Sequence, residues 1–326
     1  MPVPKRGGIP RFWLTGGLPA TLLAPLGAAM ALVATVRRGL YRCGLLRSQR
    51  LPVPVIVVGN IFVGGTGKTP LVVWLCARLQ ALGRRPGIVL RGYGGQAEHW
   101  PQRVRPDSDP LLVGDEAVLL ARRTGVPVAA GPARPAAAAL LLEEGCDVIV
   151  SDDGLQHYAL ARDLEIAVID AARGLGNGRC LPAGPLREPR RRLETVDLVI
   201  ANGGDSPLTP YSFRLVPEPL RPLVPGQQGT VPAGGPVHAI AGIGNPARFF
   251  AQLRALGFEP IEHAFPDHHR YRPGELTFDD DLPILMTEKD AVKVFDGAAG
   301  RGWVLPVRAE PTPAARQALD ALLARI

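Results

Sequence analysis

Cysteine is scarce: Cys43, Cys76, Cys146 and Cys180 are the only four in 326 residues, and none sits at C-x-x-C spacing. This excludes a disulfide framework and a zinc module. Cys76 and Cys146 lie in apolar runs and read as small core residues of a protein from a reducing compartment. Aromatic residues are also thin, at 6%. No long lysine/arginine tract with interleaved aromatics appears, so nucleic acid is not an expected partner. No internal repeat is present. Acidic residues are outnumbered by basic ones, 30 to 37, for a net charge of +7. The excess sits in short clusters, Arg37-Arg38, Arg84-Arg85, Arg122-Arg123 and Arg190–Arg192. Such clusters suit an anionic membrane face or a phosphorylated substrate.

Hydrophobic residues are plentiful, at 46%, and the length suits two domains. The most informative stretch is Val53–Pro70, VPVIVVGNIFVGGTGKTP. A buried-type strand, Val53–Val58, runs into a glycine-rich turn ending Gly67-Lys68-Thr69, and the helix-compatible segment Pro70–Leu82 follows. In that context Gly64, Gly65, Thr66 and Gly67 would cradle phosphates through backbone N–H groups. Lys68 would reach the β/γ-phosphates and Thr69 would hold Mg²⁺. The loop departs from the strict G-x-x-x-x-G-K-[ST] pattern, because Phe62 stands where glycine is required. The lysine-bearing loop of partitioning ATPases is also near, but Val63 occupies the place of its extra lysine.

Further along, strands are expected at Pro86–Leu90, Val126–Ala130, Asp147–Ser151, Leu164–Asp170 and Val196–Ala201, with helices at Asp115–Arg123 and Arg134–Glu144. This alternation predicts an α/β fold, a doubly wound parallel sheet of the P-loop NTPase type. Ligands bind such sheets at the carboxyl ends of the strands. Pro217–Pro236 is rich in Pro, Gly and Gln and reads as an exposed connection. It separates a core at 51–232 from a smaller α/β domain at 233–326. In the latter, strands are expected at Val237–Ile243, Pro283–Thr287 and Val304–Val307, and helices at Pro246–Leu256 and Pro313–Arg325.

Residues 1–50 form a separate apolar segment. Leu18–Val36 carries no charge over 19 residues and is flanked by Lys5, Arg6 and Arg11 on one side and Arg37, Arg38, Arg42 and Arg47 on the other. Its length is at the lower edge for a spanning helix, and Pro19 and Pro25 interrupt it. The favoured expectation is a helix lying in the cytoplasmic leaflet with its arginines on anionic lipid. A soluble helix packed on its own domain and a single span are the alternatives.

Chemistry-bearing residues cluster after the expected strands. Asp152 and Asp153, in VIVSDDG, are placed to anchor Mg²⁺, although adjacent strand residues point to opposite faces. Asp115 and Glu116 open a helix, where capping chemistry explains them equally well. FPDHHRY, Phe265–Tyr271, offers a histidine beside a carboxylate or a plain surface turn. The loop NGRCLPAGPLREPRRR supplies arginines suited to phosphate. TEKDAVK, Thr287–Lys293, sits at a strand end and is weakly similar to base-reading loops.

Ten stretches together resemble the tetraacyldisaccharide 4′-kinase family of bacterial lipid A synthesis. In order they are LLAPLG, RRGLYRCG, PVPVIVVGNIFVGGTGKTP, RGYGG, VGDEA, VIVSDDGLQHYAL, GNGRCLPAGPLREP, AGIGNPARFF, FPDHHRY and TEKDAVK, covering about residues 22 to 293. The family's GN-x-x-x-GGTGKT loop accommodates Phe62. The resemblance implies transfer of the γ-phosphoryl group of ATP, with Mg²⁺, to the 4′-hydroxyl of a tetraacylated glucosamine disaccharide 1-phosphate, giving lipid IV-A. It implies that Asp115 acts as base on the sugar hydroxyl, supported by His268. Lys68 and Thr69 match the phosphate-loop lysine and the Mg²⁺-binding hydroxyl. Glu116, Asp152 and Asp153 match acidic residues of metal binding and catalysis, and Gln156, His157, Arg187 and Glu188 match further active-site residues on the substrate side. The implied partners are the acylated disaccharide lipid and the cytoplasmic face of the bacterial inner membrane, with no obligate protein partner evident. If His268 belongs to the smaller domain, the two domains must close for catalysis. The main rival is a membrane-recruited P-loop ATPase switch, disfavoured by Val63 and by the Asp115/His268 pair. A metallochaperone and a soluble small-molecule kinase are further alternatives.

Overall fold

Strand Val55–Gly59 is buried along its whole length, and its side chains alternate between two apolar layers. Ile56 and Val58 join the cluster under helices Lys68–Ala81, Asp115–Thr124 and Pro313–Leu323, while Val55 and Val57 join the one under helix Arg134–Glu143. That period-2 division is what a strand covered on both faces requires. The computed structural model describes residues 9–224, 226–227, 229–294 and 297–326.

Nine strands form the larger sheet. From one edge the order is Val307–Pro311, Ser212–Pro217, Leu198–Asn202, Leu164–Asp170, Val55–Gly59, Val148–Asp152, Pro86–Leu90, Val128–Ala130 and Gln102–Val104. Only the two outermost strands run antiparallel to their neighbours. The strand order reverses around Val55–Gly59, which pairs with Leu164–Asp170 on one side and with Val148–Asp152 on the other. Val58 lies opposite Asp152 in that register. The switch point thus sets the glycine-rich loop beside the aspartate pair, where doubly wound sheets bind ligands.

The smaller sheet has five strands, in the order Phe258–Ala264, Gly235–Ala241, Ile284–Thr287, Gly302–Leu305 and Arg221–Pro222. Helix Pro246–Ala255 packs on it through Phe249, Phe250 and Leu253. Two elements fall on the other side of the 232/233 boundary from the sequence expectation. Arg221–Pro222 pairs with Gly302–Leu305 in the smaller sheet. The expected strand Val304–Val307 divides at Pro306, and Val307–Pro311 returns to edge the larger sheet. Proline has no N–H to continue a ladder, so the chain changes sheets there. Helix Pro313–Leu323 then buries Ala315, Leu319 and Leu323 in the core of the larger unit.

The N-terminal apolar stretch is broken. Helix Leu18–Leu22 and helix Ala24–Arg42 meet at Leu23, with Pro19 and Pro25 in their first turns, where proline is tolerated. Gly27 touches the loop that carries Cys180 and Ala183 so closely that a Cβ would stand 2.8 Å from both the Ala183 Cβ and the Cys180 carbonyl. Leu18, Leu22, Leu26, Leu32 and Val33 remain exposed, Leu18 and Leu22 by 71% each. Among the described residues no helix is long and apolar enough to cross a membrane.

Candidate active site

Gly67 caps helix Lys68–Ala81 with φ of +80°, and a Cβ there would lie 2.1 Å from Asn202 Nδ2. Only glycine fits such a corner. The loop before it is braced from beneath. Asn60 Nδ2 donates to the Gly64 carbonyl at 3.2 Å and to Thr66 Oγ1 at 3.1 Å, and Asn202 Nδ2 donates to the Thr66 carbonyl at 3.0 Å. Arg173, paired with Asp170, donates to the Gly65 carbonyl. Phe62 is 3% exposed and packs with Ile61, Cys180 and Leu186, its ring 5.2 Å from the Arg173 guanidinium carbon. The residue that breaks the strict motif therefore forms the apolar floor of a wider loop. Gly64 to Thr69 line a cleft of about 1080 Å³, so the helix N-terminus and its free N–H groups face a space suited to phosphates.

The neighbouring carboxylates part company. Asp153 sits at φ of +49°, just past the strand, and its two oxygens meet Lys68 Nζ at 3.3 Å and Arg187 Nη1 at 2.9 Å. Burial works against its charge, yet Lys68 and Arg187 hold its carboxyl well below the usual range. Asp152 is 2% exposed, and its Oδ1 has no hydrogen-bond partner. Burial, and then the facing charge of Glu116, push its carboxyl up to about 7. Beneath both, buried Arg134 donates to Ser151 Oγ at 3.2 Å and to the Asp153 carbonyl at 2.8 Å. Thr69, Glu116 and Asp152 line the same cleft. A buried, unpartnered carboxylate oxygen facing a second carboxylate fits a divalent cation. Among the described residues no three His, Cys, Asp or Glu side chains are spaced to hold a metal alone. Mg²⁺ needs no such cage, since one or two carboxylates, a hydroxyl, nucleotide phosphates and water suffice.

Asp115 and His268 meet across the two units. His268 Nδ1 lies 3.1 and 3.0 Å from the two Asp115 oxygens, although 153 residues separate them. Asp115 opens its helix after Gly114, whose φ is +95°, and it also accepts from the Glu116 N–H at 2.8 Å. The N-cap is Gly114 and no side chain caps this helix, so Asp115 serves the pair from the first turn. It is 6% exposed, and Glu116 and His268, which it touches, line the cleft. Burial opposes its charge, but the His268 hydrogen bond and Lys289 outweigh burial and lower its pKa. His268 occupies the left-handed region, φ +60°, with the Tyr93 ring 5.0 Å away. A residue held there against steric preference marks a constrained site.

The remaining predicted residues also converge on the cleft. Gln156 Nε2 donates to the Asn60 carbonyl at 3.0 Å and to Glu188 Oε2 at 2.9 Å. Glu188 is 3% exposed and also accepts from the Tyr158 hydroxyl, so its carboxylate is engaged within the protein. His157 is pushed down to about 4, first by burial and then by Arg134 and Arg162. From the N-terminal helix, Arg37 donates to the Gln156 carbonyl at 3.0 Å, and Met30, Val33 and Ala34 extend the cleft with apolar surface. The smaller unit closes the other side: a Cβ on Gly244 would be 3.2 Å from the Gly65 nitrogen, and Arg248 Nη2 donates to Asn202 Oδ1 at 3.2 Å.

Sequence reasoning missed Lys289. It follows strand Ile284–Thr287 inside TEKDAVK, and its Nζ lies 3.1 Å from Glu116 Oε1, 3.0 Å from Asp267 Oδ1 and 3.2 Å from His268 Nε2. The strand-end position was the available signal. It also missed Asn60, Asn202 and Arg134, which brace the loop and the aspartates from below.

Residues 19–324 match the family model of Tetraacyldisaccharide-1-P 4′-kinase, LpxK. A tetraacyldisaccharide 4′-kinase of Alkalilimnicola ehrlichii is 61% identical over 325 residues, covering 98% of this chain and 97% of that protein. One of Pseudomonas paraeruginosa is 54% identical over 316 residues, 95% of each. Among solved structures, LpxK of Aquifex aeolicus, crystallised with ATP, superposes with a TM-score of 0.75 at 27% identity over 94% of this chain and 99% of that one.

Proposed function

The chain belongs to the tetraacyldisaccharide-1-P 4′-kinase family, and from that premise we propose that it transfers the γ-phosphoryl group of ATP to the 4′-hydroxyl of a tetraacylated glucosamine disaccharide 1-phosphate, producing lipid IV-A. ATP sits with its phosphates on the loop Gly64–Thr69 and Lys68. The observation that carries the reading is the Asp115–His268 pair, set by two different units beside that loop. Phosphoryl transfer asks for charge neutralisation and an aimed nucleophile. The Asp115 carboxylate, kept charged and oriented by His268, takes the hydroxyl proton as the oxygen attacks phosphorus. Thr69, Asp152 and Glu116 would hold Mg²⁺, which supplies neutralisation of the phosphate oxygens. Asp153 is occupied by Lys68 and Arg187 and positions them instead. Gln156, His157 and Arg187 face the acceptor, and Glu188 holds Gln156 in place. The apolar helix face at Leu18, Leu22 and Leu26 lies on the cytoplasmic leaflet of the inner membrane, presenting the cleft to its lipid.

Asp115→Ala and Asp115→Asn test the reading. Both should bind ATP like the wild type and lose about 10²- to 10⁴-fold in label transfer from γ-labelled ATP to the lipid in detergent micelles. Full transfer by either variant contradicts the role given to Asp115.

A further inference from the structure

Lys289 makes three polar contacts, one of which joins the two units. Its ammonium reaches Glu116 of the larger unit at 3.1 Å and Asp267 of the smaller one at 3.0 Å, and stands 3.2 Å from His268 Nε2. It sits on the short helix Glu288–Ala291, whose neighbour Asp290 is fully buried and accepts from Thr287, Tyr271, Lys293 and the Gly242 N–H. The turn that carries Lys289 is therefore braced by buried hydrogen bonds.

A protonated lysine has only N–H donors. The carboxylates of Glu116 and Asp267 lie against that ammonium at 3.1 and 3.0 Å. The His268 nitrogen facing it must then present a lone pair, so the ring proton belongs on Nδ1. That nitrogen faces both oxygens of Asp115. Asp267 could favour the opposite tautomer by accepting from Nε2, but its nearer oxygen is 3.9 Å away, beyond hydrogen-bond reach. Tyr93 packs against the ring and restricts its rotation.

We propose that Lys289 is a positioning residue of the transfer reaction. It holds the His268 ring from the Nε2 side, so that Nδ1–H stays aimed at both Asp115 oxygens, and its bond to Glu116 makes this arrangement conditional on closure of the two units. The proposal rests on Asp115 and His268 acting as described above. Without the ammonium, Nε2 faces no partner and the ring is held through Nδ1 alone, by Asp115. The carboxylate's partner is then free to turn about that one bond.

The test uses full-length Lys289→Met, which keeps the aliphatic stem, and Lys289→Arg, which restores a charged donor. Lys289→Met should lower kcat about 10²-fold, the lower end for a proton-transfer group, with KM for ATP and Tm close to wild type. Lys289→Arg should recover part of the loss. Nitrogen-15 spectra of the His268 ring should show one Nδ1–H tautomer in wild type, and the Nδ1–H proton should exchange with solvent faster in Lys289→Met. In an Asp115→Ala background, Lys289→Met should cost little more, because both changes remove the same function. An unchanged Nδ1–H exchange rate, or losses that multiply in the double variant, would overturn the proposal. Were Lys289→Met not to fold, the ring spectrum of wild type alone decides: an Nε2–H tautomer contradicts the assignment. Loss of the Asp115 effect itself would instead remove the underlying reading.

Discussion

Two adjacent carboxylates at the end of strand Val148–Asp152 titrate in opposite directions, and the cause is which way each faces. Asp153 turns out past the strand onto Lys68 and Arg187, which stabilise its charge. Asp152 turns inward, where burial and Glu116 penalise it. The spacing showed two candidates without distinguishing them, since alternation alone says only that they differ. His157 gives a sharper consequence. Its folded pKa of about 4 lies below the ordinary value of 6.5. Below pH 6.5 the unfolded chain takes up a proton that the folded chain refuses until about pH 4. Stability should therefore fall as pH drops through that window, with the His157 contribution fully present only above it. In His157→Gln, denaturant titrations at pH 7 and pH 4.5 should differ less than in wild type. An equal difference in the two proteins would show that the ring does not carry this dependence.

At the scale of elements, proline and glycine decide how the N-terminal segment sits. Pro19 and Pro25 start helices, and the uncharged stretch becomes two helices rather than one. Gly27 allows helix Ala24–Arg42 to lie against the Cys180–Ala183 loop, and Trp13 Nε1 donates to the Pro182 carbonyl at 2.9 Å nearby. Gly27→Val would drive a side chain into the Ala183 Cβ and the Cys180 carbonyl. The helix should lift, so limited proteolysis should cut between residues 15 and 45 faster while ATP affinity stays near wild type. A digestion pattern like that of wild type would mean the contact does not hold the helix down. Other elements were legible where the pattern was strong. Pro86–Leu90 and Leu164–Asp170 lie where β-branched runs predicted them. Strand Phe258–Ala264 was not, because Glu259, Pro260, Glu262 and His263 hide it. It is an edge strand, where proline and charge are admissible.

At the scale of the molecule, the site exists only where the units meet. The larger sheet contributes the phosphate loop, the aspartates and Asp115, while the smaller unit contributes His268, Lys289 and the Gly244 loop. A local motif is readable when its parts are neighbours in sequence, as Gly64–Thr69 are. A pair 153 residues apart leaves no spacing to read, and resemblance to a family was the only route to it. Lys289 was hidden for a related reason: a lysine in TEKDAVK looks like any solvated turn until Glu116 is brought to it. The return of Val307–Pro311 to the larger sheet ties the units at a second place, where Arg123 meets Glu218 at 2.7 Å and Glu288 at 3.2 Å.

The most direct measurement is the phosphorus-31 spectrum of the lipid recovered after incubation of wild-type protein with ATP, Mg²⁺ and the tetraacyl disaccharide 1-phosphate. The account predicts a second monoester resonance, assigned to the 4′ position by its coupling to the ring proton, in step with ADP formation. ADP formed while the lipid keeps its single phosphate would contradict it and would mark the chain as an ATPase switch.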